Sequence, residues 1–175
     1  IIAAGYDPKA MGEMFENMSK IRKLSGDNPP EFLLTHPITS SRISDAFNAA
    51  DQLEITGGKK NTLNFELVKG RLKARYNSSS PQAASRYFKT IHQNNPSNEN
   101  TFAYIASLKS SGNFQEATNL NNELIEKFPK NLILNITKAE IFLSAQQYEK
   151  AKESIEEVLK ISPRNFPASI VKAKI

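Results

Sequence analysis

The sequence predicts an all-α protein, an α-solenoid of antiparallel helix pairs preceded by a small helical segment. An internal echo carries most of this expectation. Phe114, Ala117 and Pro129 return 34 residues later as Tyr148, Ala151 and Pro163, so NFQEATNLNNELIEKFPKN lines up with QYEKAKESIEEVLKISPRN. The small Ala lets a second helix pack close to the first, and the Pro stops it before the next unit. From Leu63 onward the whole chain then reads as helices in pairs.

Asp7-Pro8 reads as an N-cap followed by Pro at the first helical position. Met11, Met14, Phe15, Met18 and Ile21 keep one face of that helix apolar to about Leu24, and Gly26 ends it. Asp27-Asn28-Pro29-Pro30 is a rigid loop, and Phe32-Leu33-Leu34 leads into Thr35-His36-Pro37. Thr39 or Ser40 caps a second helix with Ile43, Ala46, Phe47, Ala50 and Leu53 on one face. Gly57-Gly58-Lys59-Lys60 closes it and marks the boundary between a segment 1–58 and a repeat domain 62–175.

The repeat domain is expected to hold three helix pairs and the first helix of a fourth. The pairs are 63–76 with 81–93, 99–110 with 114–127, and 132–145 with 148–160. Their turns fall at Asn77-Ser78-Ser79-Ser80, at Gly112 and at Gln146-Gln147, and 165–175 opens the fourth unit. Ala84 and Pro96 precede Ala117 and Pro129 by 33 residues, so the first unit is one residue irregular, as terminal repeats often are. Phe88, Ile91, Leu120, Leu124, Ile155 and Val158 are core by spacing.

Composition is that of an ordinary soluble domain, 39% hydrophobic and 23% charged. No apolar run reaches the length of about 18 residues that a membrane helix needs. With no Cys there are neither disulfides nor thiolate metal sites. The opening IIAAGYDP has no initiator Met, which suggests a piece of a longer protein. Of the net charge of +5, residues 1–61 contribute −1 (7 basic, 8 acidic) and residues 62–175 contribute +6 (16 basic, 10 acidic). The excess is densest at Lys69, Arg71, Lys73, Arg75, Arg86 and Lys89. These form either a solvated helix face or a surface for acidic partners or anionic lipid headgroups. Poor aromatic interleaving and the lack of a binding motif argue against nucleic acid.

The echo around Ala117 and Ala151 is similar to the tetratricopeptide repeat (TPR), a helix pair that holds partner proteins. The first 55 residues carry a second resemblance. Ala4-Gly5-Tyr6-Asp7-Pro8 and Thr35-His36-Pro37 with Arg42 resemble, in this order, two signatures in the tail of HExxH zinc metallopeptidases of the HtpX-like and β-barrel assembly-enhancing type. In that family the first signature follows a helix bearing a zinc-ligand Glu, and some periplasmic members run directly into TPR repeats. The resemblance therefore implies the C-terminal part of such an enzyme. Zinc would belong to the parent, the setting would be the bacterial periplasm, and the task outer-membrane protein quality control.

The chain departs from the family where chemistry is concerned. It has no HExxH, so it lacks two His ligands and the Glu that serves as general base. The segment itself is therefore expected to hold no cofactor and not to hydrolyse peptides. By resemblance, His36 could be an extra zinc ligand or plug in the intact parent, with Pro37 and Arg42 beside the active site. Otherwise His36 only stitches its loop to the domain. His92, at the end of a repeat helix, reads as a solvent-exposed terminus. Asp45 and Asp51 are six apart on one helix and point to different faces, so they are no acid/base pair.

Three functional readings follow. In the first, the repeats are the scaffold of the metallopeptidase, and proteins or extended peptides lie on the concave face. By repeat register that face would carry Lys69, Lys73, Thr101, Tyr104, Asn135 and Lys138. In the second, the chain is a stand-alone TPR adaptor without protease activity. The third is a binder of anionic surfaces through its basic first repeat. A homodimer of the segment, burying its apolar helix faces, is a further expectation.

Overall fold

A computed structural model describes residues 2–24, 40–53, 57–58, 62–76 and 80–175. The chain divides into two compact units, residues 1–62 and 63–175. The described residues are helical, as the sequence predicts.

In the first unit a 3-10 turn, Ile2–Ala4, precedes α1 (Ala10–Leu24) and α2 (Ser40–Asp51). The backbone of Asp7 turns the chain into α1. Its Oδ1 accepts from the Lys9 amide at 2.9 Å and its carbonyl from the Ala10 amide at 3.1 Å. The helix proper thus starts at Ala10, two residues later than the Asp-Pro pair predicts, because Pro8 and Lys9 form the turn. α1 packs on α2 where Gly12 leaves room for the Phe47 ring, which a Cβ at that position would meet at 2.8 Å. Lys9 Nζ reaches Asp51 Oδ1 at 2.8 Å and ties the start of α1 to the end of α2. Only part of the apolar face of α1 is used, since Met14, Met18 and Ile21 stay exposed. Gly58 lies against the backbone of Tyr6 and Asp7, so the glycine pair folds back on the chain's opening segment. The end of α1 predicted at Gly26 lies outside the described residues, as does the Asp27–Pro30 loop.

The second unit contains α3 (Leu63–Tyr76), α4 (Pro81–Asn94), α5 (Asn98–Ser110), α6 (Phe114–Lys127), α7 (Leu132–Ser144), α8 (Tyr148–Ile161) and α9 (Phe166–Ala173). Side-chain caps recur with the repeat. Ser97, Asn131 and Asn165, spaced by 34, accept from the amides of Asn100, Leu134 and Ala168 at 3.0–3.2 Å and start α5, α7 and α9. The turns recur as well. Gly112 and Gln146, again 34 apart, take φ of +84° and +58° at the ends of α5 and α7. Glycine adopts that conformation freely, whereas Gln146 bears the steric cost of a Cβ.

The repeat alanines sit at the helix crossings, with Ala117 and Ala151 fully buried. Phe88, Leu124, Ile155 and Val158 are core as predicted, while Ile91 and Leu120 are partly buried. α5 packs on α4 and α6, and α7 on α6 and α8. α3 behaves differently, for its principal neighbour is α5 rather than its sequence partner α4. Gly70 makes this approach possible, because its Cα faces the Glu99 carbonyl and the Ala103 amide of α5 with no space for a Cβ. α3 then reaches α7 through Asn64, whose Oδ1 accepts from Asn131 Nδ2 at 2.8 Å, and through Arg71.

The α3–α5 contact is also an ion-pair site. Glu99 is 14% exposed and receives Lys69 Nζ at 3.0 Å together with Lys73 Nζ. Burial pushes the Glu99 carboxyl pKa up, but the two ammonium groups outweigh it and hold it below its ordinary value of about 4.5. A depressed carboxyl stabilises the fold fully above that value, and the contribution is lost as pH falls through the lower folded pKa. Amides of α3 should therefore exchange faster as pH drops from 5 toward 3, after correction for intrinsic rates. Glu99→Gln should flatten that dependence. An equally steep dependence in the variant would assign the acid sensitivity to other carboxylates.

Candidate functional site

Successive first helices of the repeats place equivalent residues side by side. Phe102, Ile136 and Ile170 share one register position on α5, α7 and α9, and Ala106, Glu140 and Lys174 share another one turn on. Two adjoining clefts run along this row. The first, of about 450 Å³, lies between α3, α4, α5 and α7 and is lined by Arg71, Arg75, Phe102, Lys109 and Thr137, among others. The second, of about 370 Å³, is walled by Leu143, Phe166, Pro167, Ile170 and Val171. Lys109 and Glu140 line both.

Glu140 is the junction. Its Oε2 accepts from Lys109 Nζ at 2.7 Å and from Arg71 Nη2 at 3.4 Å, and its Oε1 lies 3.5 Å from Arg71 Nη1. Arg71 Nη2 also donates to Thr137 Oγ1 at 3.0 Å, and its guanidinium lies 5.6 Å from the centre of the Phe102 ring. One carboxylate thus fixes two cations, one from α3 and one from α5. Arg75 sits on the exposed edge of the same cleft, its guanidinium 5.8 Å from the ring of Tyr76.

The residues expected on this face are distributed differently. Lys69 and Lys73 are engaged with Glu99 at the α3–α5 contact and line neither cleft. Thr101 and Tyr104, at 7% and 3% exposure, do not face a groove. They point into the packing of α5 on α4 and α6. Thr101 Oγ1 lies 3.1 Å from His92 Nδ1, the His92 ring stacks on Tyr104 at 5.7 Å, and the Tyr104 hydroxyl donates to Glu116 Oε1 at 2.7 Å. Burial and the bond to Glu116 push the Tyr104 pKa up, so it stays a phenol. His92 is accordingly a half-buried partner in this seam, not an exposed helix end. Asn135 is committed to the carbonyls of Pro129 and Asn131, and Lys138 is partly exposed on α7 outside both clefts.

The groove register lies one or two residues further along each helix than the sequence reading placed it. One step rotates a helix position by about 100°, which separates the packed stripe from the open one. A signal for this existed in the repeat itself. Several positions fixed by packing keep their character from unit to unit, as in Ala117 and Ala151 or Leu124 and Val158, although Asn121 stands where Phe88 and Ile155 stand. The position held by Ala106, Glu140 and Lys174 does not. In the first unit, Arg42 on α2 lies with its guanidinium 5.6 Å from the centre of the Phe15 ring on α1. His36 and Pro37 lie outside the described residues. Among the described residues no three His, Asp or Glu side chains come together as a metal site.

A repeated helix pair with capped first helices and alanine crossings defines an α-solenoid of antiparallel helix pairs. Residues 108–175 match the tetratricopeptide repeat family. The chain is also homologous to β-barrel assembly-enhancing proteases. It is 38% identical to that of Escherichia coli K12 over 82 residues, 47% of this chain and 16% of the relative. The protein of the same name from Yersinia pestis is 29% identical over 133 residues, 74% of this chain and 26% of the relative. The chain thus spans about a quarter or less of the length of these curated relatives. No solved structure matches it. Among the described residues, no helix is long and apolar enough to cross a membrane.

Proposed function

We propose that this chain is the repeat scaffold of a zinc metallopeptidase and that its groove holds protein substrates or partners in extended form. The observation that carries the reading is the row of register-equivalent residues on the first helices of the repeats, of which Phe102, Ala106 and Glu140 line the first cleft and Glu140, Ile170 and Lys174 the second. An extended segment suits such a row, because each repeat offers the next side chain a site of its own. Homology to proteases named for β-barrel assembly supports outer-membrane protein quality control in the periplasm as the task. The signatures at Ala4–Pro8 and Thr35–Pro37 support zinc as the metal of the parent. With no HExxH in these 175 residues, the segment's part is to hold and present, and hydrolysis belongs to the parent's zinc site. His36, with Pro37 and Arg42, would approach that site in the intact enzyme.

Ser144 lines the second cleft and is exposed, so Ser144→Trp should fill the groove without disturbing the core. In the full-length parent, cleavage of an unfolded outer-membrane β-barrel protein should fall roughly tenfold, the loss expected when a central contact is blocked. Hydrolysis of a short peptide, which needs no scaffold, should be unchanged. Equal effects on both substrates, or none on either, would remove the groove from substrate handling and favour the adaptor reading.

A further inference from the structure

We propose that α3 is a built-in occupant of the face formed by α5 and α7, and that a basic helix of a partner protein takes its place there. This is independent of what the two clefts hold and rests on where α3 sits. As the first helix of a repeat, α3 would pack on its own second helix, as α5 packs on α6 and α7 on α8. Instead it lies on α5 and reaches α7. It thus spans two successive repeats, as a ligand on a solenoid does.

The seat under α3 fits a helix of one kind. Leu67 is fully buried, and Gly70 lets the backbone of α3 approach that of α5 at Glu99 and Ala103. The rest of the seat is polar. Lys69 and Lys73 reach Glu99, Arg71 reaches Glu140 and Thr137, and Glu66 Oε2 accepts from Asn98 Nδ2 at 3.1 Å. The main charges on the floor are acidic and those of the helix above it basic, which sets the charge of a replacement. Among the described residues both cations paired with Glu99 come from α3, so departure of α3 bares that carboxylate. An acidic segment would meet Glu99 and Glu140 as like charges. Lys69, Arg71 and Lys73 are 42–46% exposed, and ion pairs open to water contribute little and are screened by salt. An incoming helix with the same bases and a small residue at the crossing remakes each contact. The exchange is therefore nearly balanced, and a partner with further contacts tips it.

The test uses the whole 175-residue chain and fluorescence anisotropy of a labelled peptide of residues 63–76, the α3 sequence itself. At saturation, hydrogen exchange should show α3 amides of the chain losing protection while those of α5 gain it. Binding that leaves α3 protected, or no binding to any chain, would overturn the proposal. Lys69→Glu/Lys73→Glu in the chain sets α3 against Glu99, so the face is open more of the time. The unaltered peptide should then bind about tenfold more tightly. Adding Glu99→Gln to that variant should remove the gain, because the incoming lysines lose their acceptor. A variant that merely loosened the fold would not tighten binding at all. Equal binding with and without Glu99→Gln would overturn the assigned seat. In the peptide, Gly70→Leu should weaken binding about tenfold, since the side chain has no space against the α5 backbone. If it binds alike, the face attracts any basic chain and helix recognition is overturned. Self-association of the wild-type chain that the peptide reverses would make a second copy the occupant and overturn the assignment to a partner.

Discussion

Gly70→Ala should destabilise the α3–α5 contact by roughly 2 kcal/mol or more, although Ala is the better helix former. In an exposed helix the exchange gains about 1 kcal/mol, since glycine has more backbone freedom to lose. Here the new methyl meets the Glu99 carbonyl and the Ala103 amide, which belong to the backbone of α5 and cannot swing aside. Overpacking of this kind costs about 1–3 kcal/mol and sometimes more. The displacement also draws Lys69 and Lys73 away from Glu99 and Arg71 away from Glu140. Steric cost therefore wins over propensity. Hydrogen exchange should show α3 amides losing protection while those of α7 and α8 keep theirs, because repeats are stabilised mainly by nearest neighbours. Unchanged α3 protection would mean that the helix shifts along α5 at little cost. Gly12 is the informative contrast, because the nearest atoms its methyl would meet belong to the ring of Phe47, a side chain with a torsion to turn.

The same contact shows where sequence reasoning stops. The helices of the second unit were legible almost to the residue, because every signal for them is local. Ser97, Asn131 and Asn165 cap, Gly112 and Gln146 turn, and Ala117 and Ala151 mark the crossings. What α3 does after forming is not local. Arg71 meets Glu140 across 69 residues of chain, and nothing in the composition of either helix names the other. The cluster of basic residues on α3 illustrates the consequence. Its spacing allowed a solvated face, whereas Lys69, Arg71 and Lys73 each pair with a carboxylate on α5 or α7. The residues expected on the concave face are displaced in register from those that line the clefts, since one residue's error turns a helix from its open stripe to its packed one. Thr101 and Tyr104 fell on the packed side for that reason, and the His92–Tyr104–Glu116 seam was hidden with them.

Phe88→Ala and Asn121→Leu should move stability in opposite directions, although the two residues hold the same place in successive repeats. Phe88, Asn121 and Ile155 follow one another at spacings of 33 and 34, and all are buried at 1% exposure or less. Removing the Phe88 ring forfeits its transfer free energy and leaves a cavity, at a cost of about 3–5 kcal/mol. For a unit of about a hundred residues each kcal/mol lowers Tm by roughly 4–8 °C, so the melt should fall by roughly 12 °C or more. Asn121 occupies a site that its counterparts fill with apolar groups. Its Nδ2 donates to the Leu134 carbonyl at 3.1 Å, but its Oδ1 meets no donor among the described residues. The net worth of one such bond is about 1 kcal/mol, whereas a buried acceptor left unmatched costs about 1–3 kcal/mol. Leu, close in size, removes the unmatched acceptor, and the Leu134 carbonyl remains within the α7 hydrogen-bond ladder. The expected outcome is a gain of about 1 kcal/mol in Asn121→Leu, read from thermal melts of the whole chain beside Phe88→Ala. A loss in Asn121→Leu would show that the bond to Leu134 outweighs the unmatched oxygen. It would make Asn121 the residue that fixes α6 on α7, in place of the apolar packing its counterparts use.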